Sequence, residues 1–153
     1  MTLLFDGTTE RGELVIAGLK CGESIGNAAV PKKAFVCGVM LTDPSWTANA
    51  MSSLTYGLMG RGAVYLAFWG VRCEEAHDIA DRVREQFTPA DSDDVVITTW
   101  HSDESLVDYL WFVAFVACPT PGYCKECMGY LMVDVGEGGK PDMVSAVREV
   151  FVS

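Results

Sequence analysis

A chain of 153 residues, half of them apolar, is sized for one domain with a core of its own. No run approaches the roughly 18 uninterrupted apolar residues of a membrane span, which argues against a membrane protein. The formal charge of −10 argues against a general nucleic-acid binder, because the few scattered Lys and Arg form no basic patch to neutralise phosphates.

The start, MTLLFDGTTERGE, has no basic stretch followed by a long apolar segment, so a cytosolic protein is expected. In that compartment the six cysteines are expected to be reduced thiols. The first element is residues 13–20, ELVIAGLK, a short apolar strand expected at a sheet edge, with Gly22, Gly26 and Pro31 marking the loop after it.

Ala34–Leu41 and Ala63–Trp69 are continuous apolar runs suited to strands covered on both faces. Between them Ser45 or Thr47 can cap a helix whose Trp46, Ala50, Leu54 and Leu58 share a stripe, and Gly57, Gly60 and Gly62 stop it. Two buried strands joined through a helix of this length imply a parallel pair with a right-handed crossover. A second helix is expected from Cys73 to Phe87, with Ala76, Ile79, Ala80, Val83 and Phe87 inward and Pro89 and the run ADSDD closing it. Its early Glu74, Glu75 and Asp78 complement the helix dipole.

The third strand of the parallel set is Val95–Trp100, followed by Ser102 as cap for a helix beginning at Asp103. The run LVDYLWFVAFVAC reads as one buried helix, because a strand would have to follow without turn residues. Pro119, Pro121 and Gly122 break the chain, Gly129–Val135 is a fourth parallel strand, and GEGGKP leads to a last helix with Met143, Val144, Val147 and Phe151 inward. Together these predict a doubly wound, Rossmann-like α/β sheet in three layers, mostly parallel, with about four core strands plus the N-terminal edge strand.

Such sheets bind ligands outside the carboxyl ends of their strands. There the sequence gathers Thr42, Asp43, Ser45 and Trp46, then Arg72, Cys73, Glu74, Glu75 and His77, then Trp100, His101, Ser102, Asp103 and Glu104. Asp43 with His101 is a pairing suited to general base work, set against the plainer reading that His101 opens a helix and Asp43 makes a turn into Pro44. Cys73, at a helix start with Arg72 before it and His77 a turn later, is a nucleophile candidate, although Glu74 and Glu75 disfavour its thiolate.

Trp46, Trp69 and Trp100 all fall at strand ends, where they would pack the core or form a stacking wall. Cys118, Cys124 and Cys127 contain a CxxC pair preceded by a third thiol, a candidate zinc site that lacks a nearby fourth ligand. GLMGRG follows a helix and precedes a strand, the reverse of a phosphate-binding loop, so it reads as a cap and turn.

The blocks DPSWTANAMSSLTYGLMGRGAVYLAFWG, CEEAHDIADRV and TTWHSDESL, in that order, resemble a bacterial family known as a domain of unknown function. The resemblance covers roughly residues 34–135 and implies a compact α/β domain without implying an activity. Three functions fit: an acidic binding protein of immunity or antitoxin type masking a basic protein, a small hydrolase or transferase using Asp43, His101 and Cys73, and a zinc-stabilised regulatory domain. An acidic surface also simply keeps an apolar-rich protein soluble.

Overall fold

A computed structural model describes residues 1–88, 92–125, 127–136 and 141–152. Pro89 and the glycine-containing stretch 137–140 lie outside them, as do the side chains of residues 127 and 128. Six strands form one mixed sheet: β1 Thr2–Thr9, β2 Gly12–Lys20, β3 Ala34–Leu41, β4 Ala63–Gly70, β5 Ile97–His101 and β6 Cys127–Gly136. The described helices are α1 Ala48–Gly60, α2 Cys73–Arg84, α3 Leu106–Phe115, the single turn α4 Pro121–Cys124, and α5 Pro141–Val152. None is long and apolar enough to cross a membrane.

The strand order is β1-β2-β6-β3-β4-β5. Only β1 with β2 is antiparallel; β2–β6, β6–β3, β3–β4 and β4–β5 all run parallel. The strand at residues 13–20, expected at an edge, therefore sits one place inside it. The edge belongs to β1, an N-terminal strand that folds back as a hairpin and leaves β2 paired on both sides. Leu14 to Leu19 are correspondingly buried, as the unbroken apolar run requires.

The same strands feed two core clusters with alternate residues. Val15, Val39, Leu66, Phe68 and Val133 pack with α1 and α2 through Leu54, Leu58, Ile79 and Val83. Leu14, Ile16, Val36, Met40, Ala67 and Met132 pack with α3 and α5 through Tyr109, Leu110, Val113, Val147 and Phe151. Each fully buried Leu or Phe contributes about 1.5–3 kcal/mol of transfer free energy before conformational entropy is subtracted.

Several ends differ from expectation for local reasons. Thr47, not Ser45, caps α1, its hydroxyl accepting from the Ala50 amide. The second helix ends at Arg84 rather than Phe87. The helix expected from Asp103 starts at Leu106: Asp103 has φ 60, a left-handed turn conformation, and Ser105 is the cap, accepting from Asp108 N. One helix does run through LVDYLWFVAF, but it stops at Phe115, before the prolines.

Candidate functional site

The carboxyl ends of β3 and β4 are joined by unusually close backbone packing. Gly70 has φ 103, and a Cβ there would lie 2.2 Å from the Leu41 carbonyl oxygen, so β4 leaves the sheet against the end of β3. Val71 N donates to that same oxygen at 2.8 Å. On the other side of β3, Thr42 Oγ1 donates to Asp134 Oδ1 at 2.6 Å, and its amide donates to Val135 O. Asp134 is 1 % exposed, a buried carboxylate in a central strand; an isolated polar residue inside LMVDV is the signal that marks it in the sequence.

Arg72 also takes a left-handed conformation, φ 59 and ψ 34, at the start of α2. That turn aims its guanidinium at three groups. It stacks 3.9 Å over the Trp46 ring, donates to Trp46 O at 2.8 Å, and grips both carboxylate oxygens of Glu75 at 2.8 Å. The guanidinium holds the Glu75 carboxyl below its ordinary range, and Glu75 in turn raises Arg72. Trp46 is 2 % exposed and donates through Nε1 to Val71 O. Of the readings open to it, Trp46 takes the packed one: it is the platform of a clasp holding the β3–α1 loop to the start of α2.

The two histidines lie on opposite sides of β5, because successive strand residues alternate. On the α2 side His77 sits 4.5 Å from the Trp100 ring, with Asp78 Oδ1 at 3.1 Å and Asp81 Oδ2 at 3.6 Å from its nitrogens. Trp100 is 44 % exposed. Thr98 hydrogen-bonds Asp81, which also faces Arg84. Exposed Glu74, Glu75 and Asp78 continue this surface along α2.

On the α3 side His101 is 6 % exposed. Its Nδ1 lies 3.1 Å from Glu104 Oε2 and its Nε2 3.0 Å from Thr99 Oγ1. The ring packs on Phe112 at 4.3 Å and meets Tyr109 edge-on. The carboxylate set against His101 is thus Glu104, three residues on in the same turn, and Asp43 instead accepts from the amide and hydroxyl of Ser45 in the turn through Pro44. Tyr65, raised above the ordinary phenol value chiefly by burial, is also hydrogen-bonded to Thr99. A line of polar contacts therefore runs from Tyr65 through Thr99 and His101 to the exposed Glu104. Tyr65 and Thr99 lie within β4 and β5, not in the loops after them where the sequence places its candidates.

Cys73 is buried, its sulfur 3.6 Å from Ser102 Oγ. Trp69 stacks on Tyr109 and ties down the next loop by donating to Glu104 O at 2.8 Å. Asp103 is exposed in its strained turn. Of the three clustered thiols, Cys118 and Cys124 are both exposed and their sulfurs are 3.8 Å apart. That hydrogen bond is the main cause holding the Cys118 thiol above its ordinary value. Cys127 opens β6, but its side chain lies outside the described residues.

Away from the carboxyl ends, an open cavity of about 470 Å3 lies beneath the amino ends of β3 and β4, lined by Lys32, Lys33, Arg61, Phe87 and Tyr123 among others. Two of Arg61's nitrogens there donate to the carbonyls of Gly26 and Ala28, so this cation is engaged in holding the preceding loop.

A protein-family model described as "Domain of unknown function (DUF7684)" matches residues 19–150, from the end of β2 into α5. No curated protein and no solved structure matches the chain.

Proposed function

The chain belongs to the family described as a domain of unknown function, DUF7684; since that description assigns no activity, we propose from the site itself that this is a small acidic binding protein. In this reading it works in the bacterial cytosol and masks a basic protein partner in the manner of an immunity protein or antitoxin. Nucleic acid and membrane are not its targets. Its two core clusters are taken as the two faces of a doubly wound, three-layer, Rossmann-like sheet, which presents the loop face as one rigid surface.

The observation that carries the proposal is Trp100. A tryptophan left 44 % exposed on a sheet-edge strand, against His77 with Asp78 and Asp81 close by, has the make-up of an interface hot spot: a large apolar anchor with carboxylates beside it. Exposed Glu74, Glu75 and Asp103, with Glu104 on the α3 side, add negative charge around the strand ends and would steer a cationic partner from a distance.

The test is capture of partners from native lysate at low and then high salt. The expected result is one basic protein retained at low salt and released at high salt. Reversing Glu74, Glu75, Asp103 and Glu104 together should slow its association about tenfold or more at low salt. An unaltered association rate removes this face from the proposal. The second reading, a small hydrolase or transferase, draws on the His101–Glu104 contact, which fixes the imidazole as a general base requires. In that case His101→Gln would abolish turnover while largely keeping the fold, whereas His101→Ala would also cost stability, because the buried ring packs on Phe112 and Tyr109.

A further inference from the structure

Helix α3 is apolar on the wrong side as well as the right one. Tyr109, Leu110, Val113 and Ala114 are buried against the sheet. Yet Val107, Trp111, Phe115 and Val116 are 54, 51, 46 and 62 % exposed, and Trp111 and Phe115 stack on each other with centroids 4.2 Å apart. Asp108 is the one charged residue in LVDYLWFVAF. A helix that is apolar all round is ordinarily covered all round, and an exposed patch of this kind on a soluble domain marks an interaction surface.

The ends of the stripe differ in charge. Asp108 lies near its amino end, one turn before Phe112, and with the exposed Glu104 and with Trp111, Phe115 and Val116 it lines an open groove of about 420 Å3. At the carboxyl end Arg11, from the turn between β1 and β2, lays its guanidinium 3.7 Å over the Phe115 ring. Arg11 Nε is buried and without a hydrogen-bond partner among the described residues.

We propose that α3 packs antiparallel against α3 of a second copy of this chain, across a two-fold axis passing near Trp111. Charge complementarity selects this occupant. A two-fold exchanges the ends of the stripe, so Asp108 of each copy meets Arg11 of the other while Val107 faces Phe115 and Trp111 faces Trp111. Two molecules of charge −10 repel each other at long range, but here the acidic and cationic groups stand at opposite ends of the stripe, so the two-fold sets the acidic end of each copy against the Arg11 of the other. A basic partner would meet the half-buried Arg11 cation at this face and would find far more negative charge along α2. The helix spans only about 15 Å, so the β1–β2 turn carrying Arg11 has to supply part of the roughly 800 Å2 per copy that a stable contact needs.

Sedimentation equilibrium of the full chain tests this directly. The expected result is a dimer whose dissociation constant rises by about thirtyfold or more in Trp111→Glu, the loss of one hot spot. Trp111 is half exposed, so far-UV circular dichroism and the thermal midpoint of that variant should stay near those of the parent. Arg11→Asp and Asp108→Arg should each weaken the dimer about tenfold, and the double variant should recover to within about threefold of the parent. Misfolding would not produce that recovery, and neither would a contact that leaves Asp108 and Arg11 of different copies unpaired. A chain that stays monomeric at about 100 μM overturns the proposal, including one that instead binds neutral lipid vesicles or a foreign protein through Trp111. So does a dimer indifferent to Trp111→Glu.

Discussion

At the scale of single residues, the site is held together by two backbone conformations that side chains rarely accept. Arg72 takes its left-handed turn because the cost, about 1–2 kcal/mol for a residue with a Cβ, is offset by the Trp46 stack and the paired hydrogen bonds to Glu75. Gly70 has no such compensation open to another residue, since a Cβ would drive into the backbone of Leu41. Gly70→Ala should therefore destabilise by about 3 kcal/mol and disturb the β3 and β4 ends together. Gly62 makes a useful comparison: its φ of 115 is equally unusual, but a Cβ there would meet Phe35 at an ordinary 3.6 Å. Gly62→Ala should cost about 1 kcal/mol, and urea titration of the two variants checks the difference.

At the scale of elements, what periodicity and capping chemistry encode locally was legible, and what distant pairing decides was not. The β3–α1–β4 unit and α2 follow from apolar runs, stripes and glycines within the span of each element. The first strand is not legible because no residue of TLLFDGTT is buried, and its alternation is weak without β2 beside it. Among the candidate residues, the Arg72–Glu75 pair and the His77–Trp100 contact both form at strand ends named from the sequence. The choice of Glu104 over Asp43 as neighbour of His101 was not, because it turns on Asp103 taking φ 60. That same turn moves the helix cap from Ser102 to Ser105. Ser105→Ala should then cost about 1 kcal/mol, whereas Ser102→Ala should stay within about 0.5 kcal/mol; thermal midpoints of the two variants decide between the caps.

At the scale of the whole molecule, burial sets the response to alkali. Tyr109 is fully buried, donates to Ala67 O at 2.8 Å, and is held well above its ordinary value of 10.0; burial likewise pushes the Cys37 thiol up from 9.0. In the unfolded chain both groups ionise near those ordinary values, while the folded protein keeps their protons. Their contribution is therefore complete below about pH 9 and lost as pH rises, each group adding a slope that approaches 1.4 kcal/mol per pH unit. Urea midpoints should be flat near neutrality and fall steeply above about pH 9. Tyr109→Phe should lower the neutral plateau by about 1 kcal/mol and make the fall above pH 10 shallower.

The placement of β6 has a consequence for biosynthesis. Leu131 pairs with both Val15 and Cys37, so the last strand to leave the ribosome is the one that joins the β1–β2 hairpin to the β3–β4–β5 half. Until residues 127–136 emerge, β2 and β3 each present an apolar edge with nothing bonded to it, and those edges can pair with other nascent chains. The sheet closes late, by threading its final strand into a gap whose two sides were translated first, and it is during that interval that the chain has most need of a chaperone.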